Sequence, residues 1–177
     1  MNFLETKMTR LVLLMASVAL VVFTGATSNA FAQSKATDTF SSFTKLAMGG
    51  TWTATVGDAK LEHSYSWAAG EKFAQLKTKG GISPSVAIFG VDLEADSCNW
   101  WFFSDDGGHS KLLLTQESDG VWILQGQGMG VDGKTKYKSR VTRIDDDTIN
   151  EDIVELVGNG VKQPNTTITW KRQRRDK

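Results

Sequence analysis

One cysteine, two prolines and two histidines among 177 residues leave several chemistries without material. A single thiol makes no internal disulfide, so the fold is held by its core rather than by covalent staples. His63 and His109 have no second histidine or cysteine at ligand spacing, which removes the usual zinc sets and leaves no metal site expected. Basic and acidic side chains balance at 20 each. The chain therefore lacks the cationic excess of a phosphate-binding protein, and no nucleic-acid partner is expected. Paired catalytic carboxylates, a serine-histidine-acid order and a cofactor fingerprint are missing too, so the sequence gives no reason to read an enzyme or a cofactor.

What is present begins with a targeting pattern. Lys7 and Arg10 precede an uncharged apolar run at residues 11–23, shorter than the roughly 20 residues of a helical membrane span. Small polar residues then lead to Ala30-Phe31-Ala32. This is the layout of a cleaved signal peptide, residues 1–32, and it implies export to the periplasm or beyond, with the mature protein starting at Gln33 and no membrane span left after cleavage.

Residues 33–48 read as a polar leader and one short helix. Phe40, Phe43, Leu46 and Ala47 recur at helical spacing behind Asp38, a candidate N-cap, which predicts a helix over 39–47. After Gly49-Gly50 the period changes to two. Strands are predicted at 51–56, 61–67, 73–78, 86–93, 98–103, 111–116, 121–129, 134–141, 149–157 and 166–171. Asp119-Gly120 and Asp132-Gly133 mark hairpin turns between them. The expected fold is all-β: an antiparallel up-and-down barrel of about ten strands over residues 49–177, with one short N-terminal helix, since closure removes exposed edges.

His63, Tyr65 and Trp67 share one face of a strand, and Gly126 and Gly128 thin another. If both faces point inward, the space between them suits a small apolar or amphipathic ligand, with His63 or Tyr65 as polar anchor. The plainer readings are a hydrogen-bonded core histidine, and glycines that let the wall bend. Cys98 reads as a small buried hydrophobe. Trp100-Trp101-Phe102-Phe103 puts rings on both faces of one strand; the outer face is expected to be covered by Phe40 and Phe43 of the helix. Asp145-Asp146-Asp147 reads as a solvated turn, and the basic residues of 171–177 as a solvated terminus.

Gly50-Thr51-Trp52, directly after a short helix and opening the first strand, resembles the Gly-x-Trp motif of lipocalin-like (calycin) barrels. The resemblance implies that Trp52 closes the barrel base under a basic residue of the last strand, Lys171 or Arg172. Residues 46–172 are also similar to a group of small secreted bacterial barrel domains of unknown function, through Leu46-Ala47-Met48-Gly49-Gly50-Thr51-Trp52, Tyr65-Ser66-Trp67, Gly126-Gln127-Gly128 and Asp132-Gly133-Lys134-Thr135. Two functions stay open on these grounds: a monomeric or weakly dimeric carrier of a small ligand, and a packed structural or protein-interaction module.

Overall fold

The computed structural model describes residues 34–80 and 84–173. The expected signal peptide and the terminal residues 174–177 lie outside the described residues. The barrel unit begins at Ser34.

Helix α1, Lys35–Ala47, starts earlier than its apolar periodicity suggests. Ser34, not Asp38, is the N-cap: its Oγ accepts from the Thr37 N–H at 3.1 Å. Asp38 falls instead in the first turn, where its charge complements the helix dipole. The polar residues at 35–38 carry no apolar period, which is why periodicity alone misses them.

The strands are β1 Thr51–Val56, β2 Ala59–Ala68, β3 Phe73–Lys79, β4 Ser85–Asp92, β5 Ser97–Ser104, β6 His109–Ser118, β7 Val121–Gly130, β8 Gly133–Asp145, β9 Thr148–Gly158, β10 Val161–Lys162 and β11 Thr166–Gln173. Each pairs antiparallel with its sequence neighbour from β1 through β9; β11 then joins β9 to β1 and closes the ring. Ten strands make the barrel. The two-residue β10, which the sequence pattern did not reveal, only extends the end of β9. At the β6–β7 hairpin, Gly120 takes φ +71°, the left-handed conformation for which its Asp-Gly pair was read.

Alternation decides which residues fill the interior. One cross-strand ladder runs Trp67, Ala74, Phe89, Trp100, Leu112, Gly126, Tyr137 and Leu156. Alanines beside large rings let the ladder interdigitate, and Ala74, Ala87 and Phe89 have no accessible surface. Cys98 is buried among them, as expected of a small hydrophobe.

α1 crosses one end of the barrel rather than lying on its outer wall. Phe43 meets Phe89, Trp100 and Trp122 edge-on with ring centroids 5.6–5.7 Å apart. Asp96 and Gln116, from the β4–β5 and β6–β7 ends, bond to the Ala36 N–H and the Ser42 hydroxyl. The expected cover of the outer aromatic face is therefore overturned. Phe40 packs on Trp67 and Phe89, while Phe103, pointing outward, is 52% exposed. The reason is that the apolar stripe of α1 is needed as a plug for the open end.

The same end explains Gly50-Thr51-Trp52. Arg172 lies over the Trp52 ring, its guanidinium carbon 4.6 Å from the centroid, and donates to the carbonyls of Met48 (2.9 Å) and Leu46 (2.6 Å). Trp52 Nε1 donates to the intervening Ala47 carbonyl at 3.0 Å. Three carbonyls left open by the end of α1 are thus satisfied from β1 and β11. A Cβ at Gly50 would stand 2.8 Å from the Arg172 stem and 2.9 Å from the Gln173 carbonyl, so the glycine is what admits the arginine.

Candidate functional site

Inside the barrel, β9 turns Glu151 onto the same face as Ile149 and Ile153. Ladder pairing sets Glu151 beside Val141 of β8 and Ile168 of β11, both buried. Three donors converge on the carboxylate. Tyr137 Oη and Ser139 Oγ donate to Oε1 at 2.6 and 3.0 Å, and Trp170 Nε1 donates to Oε2 at 3.1 Å. A carboxylate taken from water needs such partners, because burying it bare is prohibitively costly.

His63 and Tyr65 complete the group. The His63 ring stacks on Trp170 with centroids 3.8 Å apart, and Tyr65 stands edge-on to His63 at 6.3 Å. Burial lowers the His63 pKa from 6.5 to about 3, so the imidazole is neutral at physiological pH. Burial first, and the Glu151 charge second, push the phenols of Tyr65 and Tyr137 upward, which keeps both as hydroxyl donors.

Tyr65 Oη and the His63 nitrogens find no hydrogen-bond partner among the described residues. His63, Tyr65, Tyr137 and Glu151 are all half-buried by area while the barrel wall surrounds them. Polar side chains that the wall surrounds without burying completely are what the inside of a small barrel produces.

Of the five residues singled out from the sequence, the structure brings two together at this centre, His63 and Tyr65. Trp67 stands at the helix end of the barrel, 42% exposed and edge-on to Phe40. Gly126 and Gly128 do belong to an inward row, but the volume they free is already filled. A Cβ on either would come within 2.2 Å of a β6 carbonyl oxygen, that of Lys111 or His109. They bring two strands close rather than open a space. Gly126 also borders a solvent-open groove of about 490 Å³ walled largely by outward side chains such as Lys111, Leu113, Gln125 and Lys138.

No family model matches the chain, and no curated protein matches it.

Glu151, Tyr137, Ser139 and Trp170 were missed in the sequence. The signal was Ile149-x-Glu151-x-Ile153, an acid on the apolar face of a strand, hidden by the neighbouring Asp152 and Glu155. Beyond Ile153 a register shift against β8 breaks the alternation that would have exposed it. Among the described residues no cluster of His, Cys, Asp or Glu has the makings of a metal site, and no helix is long and apolar enough to cross a membrane. The centre offers one carboxylate, two phenols, a hydroxyl and a neutral imidazole beside aromatic rings. That set can orient a small molecule through hydrogen bonds while its apolar part lies against the rings.

Proposed function

We propose that this is an exported, lipocalin-like barrel that binds a small amphipathic ligand in its interior. The observation that carries the reading is the polar cluster inside the barrel: a half-buried Glu151 with its three donors, beside Tyr65 Oη and a His63 ring that no hydrogen bond among the described residues occupies. A barrel filled only for stability gains nothing from leaving polar groups unpaired, since each costs about 1–3 kcal/mol in a dry interior. Occupation by water or by a ligand removes that cost.

The lipocalin kinship is supported by the Gly50-Thr51-Trp52 opening and by Arg172 over Trp52, where the resemblance had placed a basic residue. Export is supported by the pattern of residues 1–32, and cleavage after Ala32 removes nothing from the barrel unit, which begins at Ser34. Mass spectrometry of protein purified natively from its source compartment tests the reading. A co-purifying small molecule released on unfolding is expected. Protein that carries none, and that fails to shift its tryptophan emission with any apolar probe, leaves the packed interaction module as the function.

A further inference from the structure

Resting on the reading that the interior takes a ligand, we propose that the head group it selects is a protonated amine on an apolar body, and that fatty-acid-type carboxylates are rejected. The charge inventory of the interior leads there. Among the described residues Glu151 is the acid on the inward rows, and no lysine stands on them: the lysines of β8 alternate outward with Lys134, Lys136 and Lys138. Arg172 is committed at the helix end to Trp52 and the carbonyls of Leu46 and Met48. Arg143, at the end of β8, pairs with Asp146 in the turn beyond it. His63 is neutral and supplies no counter-charge.

A carboxylate offers about four acceptor positions. Tyr137 and Ser139 occupy two on Oε1, and Trp170 occupies one on Oε2. One acceptor position on Oε2 remains, beside the stacked His63 and Trp170 rings. An ammonium N–H fills it, while Tyr65 Oη and the unprotonated His63 nitrogen accept from its other protons. An anionic head would meet a like charge without a compensating cation, in surroundings that screen poorly.

Three probes of equal chain length separate the possibilities: octylammonium, octanol and octanoate at neutral pH, each titrated by calorimetry into the refolded full-length barrel freed of any co-purified molecule. Octylammonium is expected to bind at least about tenfold more tightly than either of the others. In Glu151→Gln the preference over octanol should shrink to within about threefold, with Tyr65→Phe as a second, shape-conserving variant that weakens octylammonium and leaves octanoate weak. Octanoate or octanol binding as well as octylammonium overturns the charge assignment while leaving an interior ligand site standing. A preference that survives Glu151→Gln also overturns it, placing the cation on surface acids. Binding of none of the three overturns both the assignment and the carrier reading beneath it.

Discussion

At His63 the barrel holds a titratable ring where a proton is unwelcome. The folded-state pKa is about 3 against an ordinary 6.5. Between those values the unfolded chain binds the extra proton, so stability is complete above about pH 6.5 and declines as pH falls toward 3. The limiting slope for one such group is about 1.4 kcal/mol per pH unit, and the half-accessible ring lowers it. Denaturant melts at pH 7, 6, 5 and 4 should show this loss in the native protein and a flatter profile in His63→Gln. An identical slope in both would show that the ring is free to protonate in place. Trp52 acts at the same scale by a different route. It is 1% exposed, carries Arg172 on its face and caps a helix carbonyl, so Trp52→Ala should cost about 3–5 kcal/mol by denaturant midpoint. Cys98, whose thiol burial pushes up to about 12, should resist alkylation at neutral pH until the barrel unfolds, a difference that mass spectrometry of iodoacetamide-treated protein reads directly.

Among the elements, β6 and β7 carry the sharpest test of why glycines stand where they do. Gly126→Ala and Gly128→Ala each force a methyl to within 2.2 Å of β6 backbone, which has no rotamer to yield, and each should cost about 1–3 kcal/mol. Gly158→Ala, with nothing within 4 Å, should be near neutral in the same melts. Strands were legible because their polar faces are so regular: Lys134, Lys136 and Lys138 against Thr135 and Tyr137 fix both the period and the outward side of β8. The start of α1 was less so, since Ser34 through Thr37 signal a helix only through a hydroxyl that reaches Thr37 N. The centre was half legible for a related reason. His63 and Tyr65 sit in unbroken alternation, whereas Glu151 lies in an acidic stretch just before a register shift and shows its direction only once β8 and β11 flank it. The covering of Trp101 and Phe103 was misjudged because sequence shows that a helix has an apolar stripe, not whether a wall or an open end receives it.

For the molecule as a whole, N-terminal sequencing of exported material should read from Gln33, and a product that retains residues 11–23 and extracts only in detergent would replace export with anchoring. The joint between β1 and β11 has a further consequence for how the protein is made. Thr51 pairs with Gln173 and Trp52 with Arg172, so the first strand waits for the last. A chain emerging from its amino end, from the ribosome or across a membrane, exposes β1 and β9 as two unpaired edges until residues 166–173 appear, and the end of α1 has no guanidinium to bind. For that interval the protein is an open ribbon that invites edge pairing with its own copies. A nascent chain stopped at residue 165 should accordingly be held by chaperones or degraded, while a chain that runs through β11 escapes both, so a stall within residues 166–173 should be as damaging as the loss of half the barrel.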